Sequence, residues 1–310
     1  MNLIMISAMY ENGGNTTHRM FDGHPELFVY PFESQIGTGY AQDYLGSVVP
    51  IRYRWPEFPT EGSPERDYEM FWDEELKTLL RVPGRSKFSG CGLEMEETAR
   101  KEIFVAFLEG RERTRQNLVA AYFESAFRAW KNYSTSGRES AYLGYNPVQV
   151  LDAEKFFADF PGGHMIHVVR NPYSGYSDTK KRPFPLSLER YVWTWNLCQQ
   201  MALTHVERNA GRFHLLRFED LAADPEEALR PILGAIGLEW APECAYPSFN
   251  GERLVEVFPW GTIKTPTTES NLETLAELST EEMKEIASLA GVLLPRLKYD
   301  DLLSRAHATG

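Results

Sequence analysis

The stretch NGGNTT, residues 12–17, has the residue types that bind an anion at the start of a helix. Glycines let a backbone approach a ligand closely, and the first turn of a helix presents unpaired N–H groups at the positive end of its dipole. Thr16 and Thr17 add hydroxyl donors. An ATP-binding loop, G-x-x-x-x-G-K-[ST], also needs a lysine that reaches the β and γ phosphates. No lysine stands here, so the stretch predicts an anion site unsuited to ATP hydrolysis, although such a turn is often only a turn.

Arg170 is a second candidate, in the stretch HMIHVVRNPYSGYSD, residues 164–178. An apolar strand brings this arginine to its carboxyl end, and a helix begins at Asn171 and Pro172. Ligands of open α/β sheets collect outside the carboxyl ends of the strands, and a guanidinium binds phosphate through paired hydrogen bonds. A structural ion pair explains Arg170 equally well, so the residues alone leave both interpretations open.

A third stretch, FHLLRFEDLAADPEEALRPILGAIGL at residues 213–238, is mostly explained by structure. A strand is followed by an acidic helix, with Asp224 as the N-cap and Pro225 in the first helical position.

The elements that must position these residues alternate along the chain. Near the amino terminus, residues 3–6 and 28–30 predict strands, with a helix between them that starts near Thr16 and has Asn15 or Thr16 as its N-cap. Later segments predict helices at 150–159, 186–209 and 225–236, strands at 165–169 and 213–218, and a last helix that begins near Thr280 with a capping box. Apolar strands alternating with helices predict a parallel sheet covered on both faces.

Residues 37–135 do not show this alternation of strands and helices. Prolines and aromatics without periodicity fill 37–90, where we expect loops and one helix at about 67–80. Residues 96–131 show helical spacing, interrupted near Gly110. We expect this elaborated region to form a ligand pocket that includes Tyr40, Tyr44, Tyr53 and Trp55, although packing explains any one of them. No change in composition divides the chain, so residues 1–310 predict a single domain.

Composition excludes several classes of function. The chain has 310 residues, 43% of them hydrophobic, and a net charge of −12, which argues against nucleic acid and an anionic membrane surface as partners. Its three cysteines, Cys91, Cys198 and Cys244, form neither a disulfide framework nor a zinc-binding spacing. The start MNLIMISAM lacks the flanks of a signal peptide, and no apolar run is long enough to span a membrane. We therefore expect a soluble, cytoplasmic protein without a metal; the oligomeric state stays open.

Together and in this order, the three stretches resemble the PAPS-dependent sulfotransferases, whose sulfuryl donor is 3'-phosphoadenosine 5'-phosphosulfate. The family's loop P-[KR]-x-G-T-T corresponds to NGGNTT, its RDPRDVxxS element to RNPYSGYSD, and its RYEDL segment to RFEDL. PWGTIKTPT, residues 259–267, stands where the family has a glycine-containing loop with a basic residue over the nucleotide. The resemblance covers nearly the whole chain. It implies an α/β fold of the P-loop-like sulfotransferase type, with a central parallel sheet flanked by helices and an elaborated insertion.

The resemblance also implies which residues hold the donor, without a metal. These are Gly13, Gly14, Asn15, Thr16, Thr17, Arg19, Arg170, Ser177, Gly261, Thr262 and Lys264. The sequence departs from the family pattern at two places. The basic residue expected in the first loop falls on Gly13, so His18 or Arg19 is our candidate for the missing positive charge. The expected serine falls on Asp178, which would repel a phosphate, so either the helix start shifts or Ser174 or Ser177 takes its place.

For the reaction, the resemblance implies an in-line displacement at sulfur with a general base for the acceptor proton. Glu33 matches the base of several branches of the family, and His18 is our second candidate catalytic residue. His24 is a further candidate base, although its GHPE context predicts a turn, and His164 and His167 are predicted to be structural. The expected acceptor is a hydroxyl or amine of a small-molecule or carbohydrate-like compound.

Two alternatives remain at this point. One is an atypical P-loop kinase-like phosphotransferase, which the absent lysine disfavours. The other is a nucleotide-binding protein of the same fold without catalysis, which the altered loop and Asp178 favour.

Overall fold

The computed structural model describes residues 1–41, 43–255 and 266–300. Its centre is a sheet of five parallel strands in the order β2-β3-β1-β4-β5, which confirms the predicted parallel sheet. The strands are β1 (Leu3–Ala8), β2 (Leu27–Glu33), β3 (Ala141–Tyr145), β4 (His164–Val169) and β5 (Phe213–Arg217). A short antiparallel pair, β6 (Ser248–Phe249) and β7 (Glu252–Arg253), lies outside this sheet.

Helices connect the strands and cover the sheet. They are α1 (Gly14–Phe21), α2 (Pro64–Met70), α3 (Glu74–Arg81), α4 (Glu97–Leu108), α5 (Arg115–Ala129), α6 (Ala153–Asp159), α7 (Pro172–Lys180), α8 (Leu188–Arg208), α9 (Phe218–Ala223), α10 (Pro225–Ile236), α11 (Thr268–Ala276) and α12 (Thr280–Ala290). None of the helices in the described ranges is long and apolar enough to cross a membrane.

Each face of the sheet is buried in its own apolar core. Leu3 and Met5 of β1 belong to one core, while Ile4 and Ile6 belong to the other. Successive side chains of a strand point to opposite faces, so a strand covered on both sides forms a nearly continuous apolar run. All six residues of β1 are buried and five are apolar, and the hydroxyl of the sixth, Ser7, accepts a hydrogen bond from the Val150 N–H at 2.9 Å.

Several predicted helix boundaries are confirmed. The Asp224 side chain accepts a hydrogen bond from the Glu227 N–H at the start of α10. Ser279 and Glu282 form the capping box of α12. The predicted interruption near Gly110 separates α4 from α5, and Gly110 has a φ of +71°.

Other predictions about local structure were wrong. The helix predicted at 67–80 is two helices, α2 and α3, because Asp73 turns the chain with a φ of 41°. The Asp73 carboxylate is buried and accepts hydrogen bonds from Arg100, Tyr30 and Tyr122, contacts that hold this turn. The sequence analysis also missed the whole of β3, which lies between β1 and β2.

A buried ion pair joins the elaborated region, residues 37–135, to the start of α6. The Arg54 guanidinium donates to both oxygens of Asp152, just before α6, over 2.6 and 2.7 Å. Trp55, next along the chain, is fully buried and donates to Asp159 at the end of α6. Because its neighbours are fixed in this way, Tyr53 is held against the carboxyl end of β1, with its ring 6.0 Å from that of Tyr10.

Candidate functional site

The loop between β1 and α1 is held by the side chain of Asn12. Its Oδ1 accepts a hydrogen bond from the backbone N–H of Arg170 at 3.2 Å. Its Nδ2 donates to the hydroxyl of Tyr191 at 3.0 Å and to the Tyr10 carbonyl at 2.9 Å. One buried amide therefore joins the first loop to the end of β4 and to α8.

Two glycines allow this loop to pack closely against its neighbours. Gly13 is the N-cap of α1 with a φ of 82°, a left-handed conformation that L side chains rarely adopt. A Cβ on Gly13 would lie 2.2 Å from the Phe218 ring, and one on Gly14 would lie 2.5 Å from the Tyr145 ring. The prediction that Asn15 or Thr16 caps the helix was therefore wrong, because the left-handed turn falls on Gly13 and α1 begins at Gly14.

The start of α1 has the donors that an anion site needs. The first N–H groups of a helix have no partner within the helix, and they lie at the positive end of its dipole. The Thr17 hydroxyl donates to the Gly13 carbonyl at 2.9 Å and stabilises the turn. Thr16 as a residue is 7% exposed, and its hydroxyl has no hydrogen-bond partner in the described part of the chain.

Arg170 lies beside this loop. Its guanidinium donates to the Glu11 carbonyl at 3.1 Å and lies over the Phe218 ring, 5.4 Å from the centroid. It also forms an ion pair with Asp178 at 2.7 Å. The structure therefore brings the first two candidate stretches together at the carboxyl end of the sheet, and it shows that Arg170 has a structural ion-pair partner as well.

The third stretch, residues 213–238, contacts both of the other two stretches. Glu219 accepts hydrogen bonds from the backbone and side chain of Asn171 at 2.9 and 2.8 Å. Its other oxygen accepts from the Tyr299 hydroxyl at 2.7 Å. With Phe218 beneath Arg170 and packed against Gly13, the segment RFEDL serves as a rigid base for the site.

A small cavity of about 20 Å³, room for one water molecule, lies beside the start of α1. It is lined by Asn15, His18, Phe32, Glu33, Glu75, Lys87 and Phe88. Asn15 and His18 of α1 thus meet Glu33, the candidate base that ends β2, at one place.

The chain matches the family model described as "Sulfotransferase family" over residues 48–242. It belongs to the sulfotransferase family. The matched residues include Arg170 and the segment RFEDL, whereas the loop 12–17 and Glu33 precede them. A comparison with curated protein sequences finds none that matches.

Solved structures share the fold of this sulfotransferase-family chain. The sulfotransferase domain from the Synechococcus PCC 7002 olefin synthase is 16% identical with a TM-score of 0.55, over 93% of this chain and 94% of that one. The sulfotransferase domain from the curacin biosynthetic pathway is 17% identical with a TM-score of 0.53, over 94% and 97% of the two chains. At these identities the likeness shows the fold, including its central parallel sheet flanked by helices.

The structure does not give the missing positive charge to His18 or Arg19. Burial lowers the pKa of His18 well below its ordinary value, and the charge of Arg19 lowers this pKa further, so the imidazole is neutral at neutral pH. Arg19 is itself buried, and its guanidinium donates to the Tyr30 carbonyl at 2.8 Å and lies 3.4 Å from Asp22. The Arg19 guanidinium therefore has its partners in the interior of the protein and does not face the donor site.

The serine expected beside Arg170 is also absent from that place. Asp178 faces Arg170, while the Ser177 hydroxyl donates to Glu277 at 3.0 Å. The helix start has not shifted, because α7 begins at Pro172 and Asn171 accepts a hydrogen bond from the Ser174 N–H as its N-cap. Gly261, Thr262 and Lys264 lie outside the described residues.

Glu33 is the charged residue around which the rest of the site is arranged. It ends β2, and the Gln35 side chain donates to its Oε2 at 3.2 Å. Burial raises the pKa values of Tyr10, Tyr53 and Tyr145, and the charge of Glu33 raises each of them further. These phenols therefore stay protonated at neutral pH and remain donors.

Tyr10 has a hydroxyl that no described residue satisfies. The oxygen is buried and has no hydrogen-bond partner in the described part of the chain. A buried polar group without a partner costs about 1–3 kcal/mol. This residue was missed by the sequence analysis, because it precedes the recognisable motif and a single tyrosine carries no pattern.

The other histidines considered in the sequence, His24, His164 and His167, have structural partners. The His167 ring contacts the Ser7 hydroxyl at 3.2 Å and the side-chain oxygen of Gln199 at 3.1 Å, and burial lowers the pKa of His167 to about 4. His164 contacts His214 at 3.1 Å. His24 lies 3.0 Å from the Glu239 carbonyl and accepts from the Glu26 N–H, as its predicted turn requires.

Proposed function

We propose that this chain transfers the sulfuryl group of 3'-phosphoadenosine 5'-phosphosulfate to a hydroxyl or amine of a small-molecule or carbohydrate-like acceptor. One observation carries the proposal: the start of α1 and the guanidinium of Arg170 meet at the carboxyl end of the sheet, joined through Glu11 and Asn12. Membership of the sulfotransferase family supports the type of reaction.

The two ends of the donor require different binding groups, and the site offers both. We assign the phosphosulfate end to the N–H groups at the start of α1 together with the Thr16 hydroxyl. We assign the 3'-phosphate to Arg170, which must share its charge with Asp178. A sulfuryl group carries less charge than a γ-phosphoryl group, so a loop without a lysine suits it better than it suits ATP.

In the transfer step, the acceptor atom attacks sulfur and forms a bond with it. The bond between sulfur and the bridging oxygen breaks, and its electron pair leaves with 3',5'-ADP. Glu33 takes the proton of the acceptor, since its carboxylate lines the cavity beside Asn15 at the start of α1. The unsatisfied Tyr10 hydroxyl donates a hydrogen bond to an oxygen of the reacting groups.

The acceptor approaches from the elaborated region, residues 37–135. Tyr53 of this region packs on Tyr10, and the Arg52 guanidinium lies over the Tyr53 ring at 5.0 Å. Trp55 is excluded from such a role because it is fully buried in the core, whereas Tyr40 and Tyr44 are exposed.

The test is a transfer assay with radiolabelled PAPS and a panel of hydroxyl and amine acceptors, run beside radiolabelled ATP with magnesium. We expect label to move from PAPS and none to move from ATP. Transfer from ATP alone would establish the kinase-like alternative. Tight binding of 3',5'-ADP without transfer to any acceptor would establish a nucleotide-binding protein without catalysis.

A further inference from the structure

Glu75 lines the same cavity as the candidate base Glu33 and contacts it. Its Oε2 accepts a hydrogen bond from the backbone N–H of Glu33 at 3.0 Å, and its Oε1 pairs with the Lys87 ammonium at 2.8 Å. The Glu75 side chain is 14% exposed, whereas that of Lys87 is 53% exposed. One nearly buried carboxyl group thus bridges the end of β2 and a cation that reaches solvent.

The whole start of α3 is fastened to the end of β2. The Asp73 N–H donates to the Gln35 carbonyl at 2.9 Å, and the Glu74 N–H donates to the Gln35 side chain at 3.0 Å. That same side chain donates to the Glu33 carboxylate. Together with the Glu75 contact, these bonds hold Glu33 through both its backbone and its side chain.

The charges that face Glu75 come from three sides. Glu33 faces it from β2, Lys87 from the segment after α3, and Arg19 and the neutral His18 from α1. Burial raises the pKa of Glu75 to about 7, the charge of Glu33 raises it as well, and Lys87 opposes both effects. Two carboxyl groups at one cavity cannot both ionise without such a cation.

We propose that Glu75 is a positioning residue for the transfer reaction, which clamps Glu33 in place and couples the charge of Glu33 to that of Lys87. The inference rests on the proposed function. The ionised carboxylate of Glu75 accepts the hydrogen bond from the Glu33 N–H more strongly than the neutral acid does, and it is the form that pairs with Lys87. Turnover therefore rises as Glu75 loses its proton.

The first experiment needs no turnover. Glutamate side chains labelled with ¹³C are titrated by NMR, and the Glu75 signal is identified by its loss in Glu75→Gln. We expect its midpoint near pH 7 in the unmodified protein. The midpoint should move to lower pH in Glu33→Gln and to higher pH in Lys87→Met, each by half a unit or more, about a threefold change in proton affinity.

Glu26→Gln is the matched control for this titration, because Glu26 precedes the opposite end of β2 and should leave the Glu75 midpoint unchanged. A midpoint that ignores both Glu33→Gln and Lys87→Met would overturn the proposal, whatever the activity of the protein.

The second experiment measures the pH profile of kcat. The unmodified enzyme should gain activity through pH 7, and Glu75→Gln should lose this inflection and about tenfold in kcat at pH 8, with the KM for the donor within twofold. Glu97→Gln is the control, since Glu97 also lies in the first turn of a helix and pairs with a cation, Arg81. An unchanged profile in Glu75→Gln would overturn the positioning role.

Absence of transfer by the unmodified protein would instead contradict the proposed function, and the titration would still decide whether Glu75 is coupled to Glu33.

Discussion

Glu33 and Tyr10 stand at the carboxyl ends of two strands that lead into the candidate site. Glu33 ends β2, and Tyr10 follows β1 by two residues. The Tyr10 hydroxyl is buried without a partner in the described ranges, and the Glu33 carboxylate lines the cavity beside the start of α1. The Glu33 carboxylate accepts a hydrogen bond that glutamine can still accept, and the Tyr10 hydroxyl has none to lose within the described ranges. Substitutions at these residues should therefore separate catalysis from stability.

Replacing Glu33 with glutamine removes the proposed base and keeps its shape. We expect turnover to fall by about two orders of magnitude or more, the usual consequence of losing a general base. The affinity for 3',5'-ADP, measured by calorimetry, should stay within twofold, because glutamine keeps the shape of Glu33 and the groups assigned to this nucleotide are the N–H groups of α1 and Arg170. Glu26→Gln, before the other end of β2, should change neither quantity. An active Glu33→Gln enzyme would remove this residue from the role.

Replacing Tyr10 with phenylalanine should have opposite effects on stability and activity. Loss of a buried, unsatisfied hydroxyl should leave the free energy of unfolding unchanged or raise it by about 1 kcal/mol. Turnover should fall about tenfold, because a hydrogen bond to the reacting groups is lost. Urea unfolding and steady-state kinetics measure the two quantities. A variant that is less stable yet fully active would show that the hydroxyl has a structural partner instead.

At the scale of secondary structure, the site depends on the connection from β1 to α1. The left-handed turn at Gly13 begins α1, and the Phe218 ring lies against both Gly13 and the Arg170 guanidinium. This connection and the one from β4 to α7 were predictable, because apolar strands followed by Gly, Asn or Pro have clear local signals.

Other elements had no such signal. β3 reads AYLGY, with a glycine inside it and no helix directly before it, and only its position between β1 and β2 makes it a strand. The break between α2 and α3 depends on contacts of the Asp73 carboxylate with Arg100 and two tyrosines from distant parts of the chain. Local sequence does not contain these partners, so one helix was predicted where two exist.

Gly13→Ala tests the turn. An alanine at a φ of 82° is strained, and its Cβ would collide with the Phe218 ring, so we expect a loss of about 2 kcal/mol or more in the free energy of unfolding. We also expect weaker binding of 3',5'-ADP. Gly234→Ala is the control: it lies inside α10 with open space around it and should stabilise the protein by about 0.5–1 kcal/mol. Equal effects of the two substitutions would contradict this account of the loop.

At the scale of the whole molecule, the candidate site is assembled from segments that are far apart in sequence. Asn15, Glu33, Glu75 and Lys87 line one cavity, and Asn12 bonds to the backbone of Arg170, 158 positions later. The motifs predicted the first and last parts of this site. Glu75 and Lys87 were missed because they lie in the elaborated region, where charge alone does not show that a nearly buried carboxylate pairs with an exposed lysine.

The raised pKa of Glu75 has a consequence for the stability of the molecule. Because the folded pKa is about 7 and the ordinary value is 4.5, the folded state keeps a proton that the unfolded state releases between these values. The free energy of unfolding should therefore fall as pH rises through this window, by at most about 3 kcal/mol. Glu75→Gln should remove this part of the pH dependence. Urea unfolding of the unmodified protein and of Glu75→Gln at pH 5 and pH 8 measures this difference. The same pH dependence of the free energy of unfolding in both proteins would contradict a raised pKa at Glu75.

The central claim is that the start of α1 and Arg170 bind opposite ends of one nucleotide. Calorimetry with 3',5'-ADP and with 5'-AMP tests this claim in the unmodified protein, in Arg170→Ala and in Arg212→Ala. Arg212→Ala is the control, because Arg212 precedes β5 and contacts the carbonyl of Pro161, which precedes β4, at the opposite edge of the sheet from Arg170. We predict that Arg170→Ala weakens 3',5'-ADP binding about tenfold to a hundredfold and 5'-AMP binding by less than about threefold, with Arg212→Ala unchanged. Equal losses for the two nucleotides, or no binding of 3',5'-ADP by the unmodified protein, would contradict the account.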